Sequence, residues 1–507
     1  MVPEVVSTDR MRTLELNTEW LGISLAMLMQ NAGREVARVI EQREQLNGKR
    51  VVVLCGLGGN GGDGFVTARY LHEAGASIRV FLLGSSKNIS SPESAANWRI
   101  LQNLHEIYKQ QLSTESEVLE CADIRQADII VDAMLGFTLK NPVREPMLTA
   151  IKIVNESSGR KYAIDVPSGI DADTGTVYGD AVRADVTITL HAAKPGLITA
   201  RQYTGEIVVV PIGIPHEAST VCGPGDLWLF NRPRRADSKK GDSGRVLVVG
   251  GSNVYSGAPA LAGMAALRTG ADLVTVLAPR PIVGAIRAYS PNLMVREIGT
   301  DVMTRESVKE IITLSESNDV VAMGPGLGND KETYLAVREC IQELVNRNKR
   351  MVIDADALKA LGGSGIRLDP TRCVLTPHWG EIQILLQAKL NGPAGLEDRK
   401  RASLEAARQF NSVILLKGPT DVIAHPDGSL RLNRTGVPAM TVGGTGDVLT
   451  GITATLLTRG RGALEAACAA AFVSGKCGEA ASEVRGDHIV ATDCIEMIPR
   501  VMTGRPT

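Results

Sequence analysis

Short apolar segments alternate with helical patterns along almost the whole chain. In the first half these segments lie at residues 50–55, 78–83, 129–132, 162–165, 186–190 and 207–210. Strands that are apolar on both faces are typical of parallel sheets with helices on both sides. The helical spacing of residues 11–39 predicts a helix that packs on this sheet, and a further helix is predicted at 65–74.

A second alternation follows an interruption between residues 211 and 244. Prolines, glycines and the basic residues Arg232, Arg234 and Arg235 cluster there, which predicts a domain junction near residue 225. The later strands are predicted at 245–249, 273–277, 319–323, 350–353, 373–375 and 413–416. Segments 422–424 and 430–432 flank a Pro-Asp-Gly turn and predict a hairpin, and helices are predicted after Asp447. The predicted fold class is therefore α/β with two domains, residues 1–225 and 226–507.

The composition excludes several classes of function. The net charge is −1 and aromatic residues are only 4% of the 507 residues, so nothing favours a nucleic-acid partner. No segment approaches eighteen apolar residues, and the first ten residues are not those of a secretory signal, so no membrane role is expected. The eight cysteines are scattered without a C-x-x-C pair. This pattern predicts free thiols and a cytoplasmic location.

Two glycine-rich loops carry the strongest chemical signal. Residues 58–64 read Gly-Gly-Asn-Gly-Gly-Asp-Gly, and residues 443–447 read Gly-Gly-Thr-Gly-Asp. Backbone N–H groups of such a loop at a helix start bind anions. The aspartates Asp63 and Asp447 add a carboxylate that is able to accept a proton beside the anion. We therefore predict two active sites.

In the second half, further polar motifs follow successive predicted strands. Because ligands bind at the carboxyl edge of parallel sheets, these motifs are expected to converge there. The loop at 443–447 would hold a phosphoryl group while Asp447 accepts the proton of an attacking hydroxyl, as in kinases. The other motifs are Gly324 to Gly328, Asp354 with Asp356, Thr376-Pro377-His378, and Leu416-Lys417-Gly418.

Individual residues of this set also have purely structural explanations. His378 is equally interpretable as a turn histidine and Lys417 as a solvated lysine at a strand end. Asp354 and Asp356 suit either a metal pair or, more simply, a helix N-cap at Asp356.

Together these motifs make residues 226–505 resemble the ADP/ATP-dependent NAD(P)H-hydrate dehydratases of the ribokinase-like superfamily. Tyr255 to Pro259 belongs to the same series. The resemblance implies a ribokinase-like α/β sandwich that phosphorylates the C6 hydroxyl of the hydrated nicotinamide ring with ADP or ATP and Mg²⁺, and then eliminates phosphate. It also implies substrate contacts at Ala258, Gly326, His378 and Asp447, and adenine-nucleotide contacts at Lys417, Gly418, Pro419, Thr420, Asp421 and Gly446.

The first loop lacks the lysine of a P-loop, which favours phosphate binding without phosphoryl transfer. Asn60, Asp132 and Ser168 are hard oxygen ligands near predicted strand ends, and they suit a monovalent or alkaline-earth cation. Asp132 and Asp165 are equally interpretable as helix caps.

Residues 5–220 resemble the NAD(P)H-hydrate epimerases through Met11-Arg12 with Glu15, Leu28 to Gly33, Gly59 to Gly64, Val131-Asp132-Ala133 and Asp165 to Gly169. The resemblance implies a Rossmann-like parallel α/β sandwich in which Asp165 is the catalytic acid/base and Asn60, Asp132 and Ser168 bind K⁺. Implied substrate contacts are Asp165 itself and Gly59, Asn60, Gly61, Gly62, Asp63, Gly136, Phe137, Thr138, Leu139, Lys140, Asn141 and Pro142.

The combined expectation is a bifunctional repair enzyme. Its first domain would interconvert the R and S hydrates of NAD(P)H, and its second would dehydrate the S form with an adenine nucleotide. The family resemblance also favours a homo-oligomer. The alternatives are a ribokinase-like vitamin or sugar kinase fused to a nucleotide-binding module, or a first domain that only binds a partner.

Overall fold

The structure is a computed structural model that describes residues 5–231, 233–388 and 395–504. The chain divides into two compact units, residues 1–216 and 217–507. The predicted boundary at 225 lies inside the second unit. Arg232, one of the basic residues of the predicted junction, is outside the described residues.

The first unit contains a seven-stranded, wholly parallel sheet in the order β3-β2-β1-β4-β5-β6-β7. The central strands are apolar on both faces, as predicted, because helices cover both sides of the sheet. The prediction missed only β3, an edge strand whose sequence YKQQL is mostly polar. The strands are β1 Arg50–Cys55, β2 Ser77–Leu83, β3 Tyr108–Leu112, β4 Ile129–Ala133, β5 Arg160–Ile164, β6 Val186–Leu190 and β7 Glu206–Val210.

The segment predicted as one helix at 11–39 is two helices. Gly22, at φ +100°, ends the first helix, and the Ser24 hydroxyl caps the second by accepting a hydrogen bond from Met27 N. The helices of this unit are α1 Thr8–Trp20, α2 Leu25–Glu41, α3 Gly59–Glu73, α4 Pro92–Gln102, α5 Glu115–Glu120, α6 Ala122–Gln126, α7 Met147–Glu156, α8 Pro195–Thr199 and α9 Arg201–Thr204.

The second unit contains a nine-stranded sheet in the order β10-β9-β8-β11-β12-β13-β14-β15-β16. Only the last two strand pairings, β14 with β15 and β15 with β16, are antiparallel, and β15 and β16 form the hairpin predicted around Pro426-Asp427-Gly428. The short strand β10 was not predicted. The strands are β8 Arg245–Val249, β9 Leu273–Ala278, β10 Met294–Glu297, β11 Val320–Met323, β12 Arg350–Ile353, β13 Cys373–Leu375, β14 Val413–Leu416, β15 Asp421–Ala424 and β16 Leu430–Asn433.

Helices also cover both faces of this sheet, and apolar residues are buried on each side of it. The predicted two-domain α/β fold class is therefore confirmed. The helices are α10 Glu217–Thr220, α11 Pro224–Trp228, α12 Gly257–Thr269, α13 Arg280–Tyr289, α14 Arg305–Glu316, α15 Lys331–Asn346, α16 Ala355–Leu361, α17 Trp379–Leu386, α18 Leu396–Phe410, α19 Thr445–Leu457, α20 Ala463–Arg485 and α21 Ala491–Met502. None of these described helices is both long and apolar enough to cross a membrane.

Candidate active sites

The first glycine-rich segment is the start of helix α3 and not a loop. Helix α3 begins at Gly59, six residues before the predicted start at residue 65, so that prediction was wrong. The glycines permit close packing: a Cβ on Gly64 would lie 2.6 Å from Cβ of Ala133 and 2.8 Å from Sγ of Cys55. A Cβ on Gly61 would collide with the carbonyl oxygen of Gly56. The close approach of α3 to β1 and β4 therefore explains Gly61 and Gly64. From the sequence, these glycines were interpreted only as part of a phosphate-binding loop.

The start of α3 opens into a cavity of about 710 Å³ within the first unit. Its wall includes three carboxyl groups from separate elements: Glu15 of α1, Asp63 of α3 and Asp165 after β5. The predicted contact residues Gly59, Asn60, Gly136, Phe137 and Thr138 also line it.

The other predicted contacts in this region are not part of that wall. Gly61 and Gly62 face packed neighbours. Lys140 instead forms ion pairs with Asp171 at 3.2 Å and Asp173 at 3.0 Å. The remaining predicted contacts absent from the lining are Leu139, Asn141 and Pro142.

Asp165 is held at the cavity by a buried lysine. Its backbone has the left-handed φ of +63°, which is rare for a residue other than glycine and marks a strained position. Its Oδ1 accepts hydrogen bonds from the Lys194 ammonium and, at 3.1 Å, from Leu190 N. The Lys194 side chain has no exposed surface and also donates to the Leu190 carbonyl oxygen at 2.9 Å. Asp165 is therefore an anchored, ion-paired carboxylate and not a helix cap.

The sequence analysis did not identify Lys194 as a residue of the site. A lone lysine before Pro195 and Gly196 has no spacing that distinguishes it from a surface residue. Only the pairing of β5 with β6 brings the segment after β6 beside Asp165.

The two other carboxyl groups of the cavity are in less polar surroundings. Asp63 is nine-tenths buried, and burial followed by the nearby charges of Asp165 and Glu15 raises its pKa well above the usual value. Burial also raises the pKa of Glu15, which Arg12 partly offsets by an ion pair at 3.0 Å. The cavity thus has carboxyl groups in contrasting surroundings, one ion-paired with Lys194 and two with raised pKa values.

Three polar side chains lie together at the backbone of Leu135, those of Asn60, Asp132 and Ser168. Asn60 Nδ2 donates to the Leu135 carbonyl oxygen at 3.1 Å, and Ser168 Oγ accepts from Leu135 N at 2.8 Å. Ser168 Oγ also donates to Asp132 Oδ1 at 2.6 Å. The three side chains predicted as cation ligands are therefore brought together, and Asp132 bonds to Ser168 rather than capping a helix.

In the second unit, Asp447 lies in the first turn of α19. Gly444, at φ +95°, is the N-cap, so the helix begins three residues before the predicted start at Val448. The peptide N–H groups of this turn and the positive end of the helix dipole favour an anion there. Burial first, and then the nearby charge of Asp354, raise the pKa of Asp447 to about 7. A carboxyl group with this pKa is suited to accept a proton near neutral pH.

The Lys417 ammonium lies near Asp447 and close to the carboxyl groups of Asp354 and Glu381. Its Nζ lies 2.9 Å from Asp354 Oδ1 and 3.9 Å from Glu381 Oε2, and a Cβ on Gly446 would lie 3.4 Å from it. The interpretation of Lys417 as a solvated lysine is therefore wrong. Glu381, which the sequence analysis did not single out, is the additional charged member of this cluster.

The two aspartates after β12 have separate structural partners. Asp354, not the predicted Asp356, is the N-cap of α16, and its Oδ2 accepts a hydrogen bond from Thr450 at 2.8 Å. Asp356 instead accepts from Gly328 N at 2.8 Å and pairs with Lys359. Among the described residues, no group of three His, Cys, Asp or Glu side chains is arranged to bind a metal.

Gly326 and Ala258 face each other across the ends of β11 and α12. Gly326 has φ +69°, and a Cβ there would lie 2.7 Å from Tyr255 Cβ and 3.3 Å from Ala258 Cβ. Glycine is thus required for the close approach of these two segments.

His378 is the N-cap of α17. Its Nδ1 accepts a hydrogen bond from Glu381 N at 3.2 Å, while the ring remains more than half exposed. This is the turn role that the sequence left open, and the ring Nε2 lies 3.5 Å from Glu381 Oε1.

The last predicted contacts form the turn between β14 and β15. Asp421 Oδ1 accepts from Gly418 N at 2.9 Å and its Oδ2 accepts from Asn433 at 2.9 Å. Pro419 and Thr420 complete the turn.

Comparison with known proteins identifies the family. The profile described as NAD(P)H-hydrate dehydratase matches residues 246–500, and the profile described as YjeF-related protein N-terminus matches residues 25–196. The chain is 46% identical to the bifunctional NAD(P)H-hydrate repair enzyme Nnr of Pyrobaculum aerophilum over 98% of both chains. It is 36% identical to the enzyme of the same name from Moorella thermoacetica, over 94% of this chain and 92% of that one.

Among solved structures, the ADP/ATP-dependent NAD(P)H-hydrate dehydratase of Bacillus subtilis, co-crystallised with ATP and Mg²⁺, is 28% identical, with a TM-score of 0.48. The match covers 56% of this chain and 97% of that one. The two family profiles and the full-length relatives confirm the resemblance predicted from the motifs. The chain belongs to the family of bifunctional NAD(P)H-hydrate repair enzymes.

Proposed function

We propose that the chain repairs hydrated NAD(P)H with one active site in each unit. The first unit interconverts the R and S hydrates, and the second dehydrates the S hydrate to NAD(P)H. The observation that carries this proposal is the similarity to repair enzymes over 98% of the chain. Each unit also has a carboxyl group at the carboxyl edge of its sheet, the buried Asp165 in the first and the partly buried Asp447 in the second.

In the epimerase site, Asp165 is the acid/base group at C6 of the hydrated ring. Its side chain is held at the cavity by the buried Lys194 ammonium. We assign substrate contacts to the predicted residues that line the cavity. These are Gly59, Asn60, Asp63, Gly136, Phe137, Thr138 and Asp165.

The site beside Leu135 suits K⁺. The hydrogen bonds of the buried Asp132 carboxylate come from Met134 N, Ser168 N and Ser168 Oγ, which are all uncharged. A buried carboxylate without a positive partner among the described side chains favours a bound cation. Asn60, Asp132 and Ser168 would hold the ion, which would supply positive charge near the substrate phosphates.

In the dehydratase site, Asp447 accepts the proton of the C6 hydroxyl while the oxygen attacks the terminal phosphoryl group of ADP or ATP. The N-terminal turn of α19 and Lys417 stabilise the charge that develops on this group. We assign Ala258, Gly326 and His378 to the hydrated ring and Lys417, Gly418, Pro419, Thr420, Asp421 and Gly446 to the nucleotide. Mg²⁺ enters with the nucleotide phosphates.

Phosphorylation makes the dehydration favourable. Phosphate is a better leaving group than hydroxide, so its elimination from C6 restores the reduced ring even in water. A stereospecific dehydratase alone would leave the R hydrate unrepaired. Coupling to an epimerase extends the repair to this form.

The Asp447→Ala variant tests the division of functions. With a mixture of R and S hydrates and ADP, we expect it to retain epimerisation and to form no NAD(P)H. Wild-type dehydration in this variant would contradict the role of Asp447. A stable phosphorylated product, in place of free phosphate and NAD(P)H, would instead support a vitamin or sugar kinase.

We also propose a homo-oligomer and a cytoplasmic location, which the resemblance and the eight free cysteines support. Light scattering after size exclusion measures the first, and cell fractionation measures the second.

A further inference from the structure

Asp63 differs from Asp165 in its partners, although both line the same cavity. Asp165 has the Lys194 ammonium and the Leu190 N–H group. The Asp63 carboxyl group has no hydrogen bond or ion pair with the described side chains or backbone, although only 9% of the residue is exposed.

A buried carboxyl group without a partner is stable only when it is protonated, because the charged form loses its hydration without compensation. The charges around Asp63 reinforce this state, since Asp165 and Glu15 are acidic neighbours that raise its pKa, and Lys194, which lowers it, is already paired with Asp165. The other charged groups on the cavity wall are Arg12, which pairs with Glu15, and Glu93, which bonds Ser91. The cavity therefore contains a buried carboxyl group without a partner, in which burial favours the protonated form, beside a carboxyl group that is ion-paired with Lys194.

We propose that Asp63 is a second catalytic residue of the epimerase site and donates the proton that Asp165 cannot supply. This assignment rests on the proposed epimerase function. Two carboxyl groups in contrasting environments are the usual arrangement for a reaction that requires an acid and a base at once.

The reaction step balances with water as the only co-reactant. Asp63 protonates the C6 hydroxyl, the C6–O bond breaks, and the lone pair of N1 forms a C=N bond as water leaves. A water molecule then adds to the opposite face of C6 and gives a proton to the Asp165 carboxylate. Proton exchange between the two carboxyl groups through water restores the starting state.

The Asp63→Asn variant tests this role in the full-length chain. The amide has nearly the shape of a protonated carboxyl group and donates hydrogen bonds, but it does not transfer a proton. We expect kcat for epimerisation to fall by about 100-fold or more, with KM within about twofold of wild type. The falling limb of the wild-type pH profile should also disappear. A rate and pH profile equal to wild type would overturn the proposal.

Two controls separate this result from other causes. Glu73→Gln, at an exposed position near the end of the same helix, should leave the epimerase rate unchanged. The dehydratase rate with S hydrate reports whether Asp63→Asn damages the chain as a whole. If wild type itself did not epimerise the hydrates, the proposed function would fail, rather than the role of Asp63.

Isotope exchange tests the bond that breaks. During epimerisation in H₂¹⁸O, ¹⁸O should enter the C6 hydroxyl at the rate at which the R and S hydrates interconvert. Spontaneous exchange, measured without enzyme, is subtracted. Retention of the original oxygen during racemisation would overturn the proposed step.

Discussion

Lys417 Nζ lies 2.9 Å from Oδ1 of Asp354, and this ammonium also lowers the pKa of Asp447. Asp354 acts on Asp447 in the opposite direction, because its negative charge opposes ionisation. The protonation of Asp447 therefore depends on a pair of charges contributed by the ends of β12 and β14, the two strands that flank β13.

The first prediction concerns the pH dependence of dehydration. Asp447 accepts a proton only when ionised, so kcat should rise with pH through a midpoint near the pKa of about 7. Lys417→Met removes a charge that lowers this pKa, and the midpoint should move upward at saturating ADP. The exposed Lys331→Met should keep the wild-type midpoint. An unchanged midpoint in Lys417→Met would contradict the coupling.

Asp447→Asn should stabilise the second unit at alkaline pH. The pKa of Asp447 in the folded state, about 7, exceeds its usual value of 3.8, so stability falls as pH rises between these values. Removing the carboxyl group should raise the free energy of unfolding by about 2–4 kcal/mol at pH near 8 and by little at pH near 4. Denaturant titration at both pH values measures the difference. Asp487→Asn, at an exposed position, is the control and should show neither effect.

Lys194→Met should weaken the first unit. It leaves the buried Asp165 carboxylate without its positive partner, which costs about 3–5 kcal/mol of unfolding free energy. Epimerase activity should fall as well, while dehydration of S hydrate continues. Denaturant unfolding and the two activity assays measure these effects. The exposed Lys49→Met should match wild type in all three, and a comparable loss of dehydration in Lys194→Met would argue against a local effect.

Gly326→Ala and Gly284→Ala form a matched pair. Gly326 has φ +69° and no room for a Cβ, so alanine should cost at least about 1–2 kcal/mol and reduce dehydration. Gly284 lies in the exposed interior of α13 with open space around it, so alanine should stabilise the helix by about 1 kcal/mol. Thermal unfolding of both variants gives the comparison, and equal effects would refute the steric argument.

The K⁺ proposal predicts a stability response that is independent of activity. The unfolding midpoint of the first unit should rise with K⁺ and not with the bulky tetramethylammonium ion, because only K⁺ fits beside Asp132. Ser168→Ala removes one ligand and should reduce this rise, while Ser116→Ala on the exposed face of α5 should preserve it. An identical response of both variants would exclude Ser168 as a ligand.

Most strands were predictable because their sequences are apolar on both faces, a local property of the chain. The edge strands β3 and β10 were missed because an edge strand is half solvated and its side chains need not be apolar. The start of α3 was misplaced for a related reason. Its glycines suggested a loop. The packing of Gly64 against Ala133 and Cys55, however, requires a glycine within the helix.

The sequence alone determined the fold class, the family and the motifs at Asp165 and Asp447, because these are properties of consecutive residues. Only the tertiary structure decided which charges act on them. Lys194 lies twenty-nine positions after Asp165 and Lys417 sixty-three after Asp354, yet each pair is in direct contact. Such pairing depends on strand order, and the resulting burial and charge contacts raise the pKa values of Asp63 and Asp447.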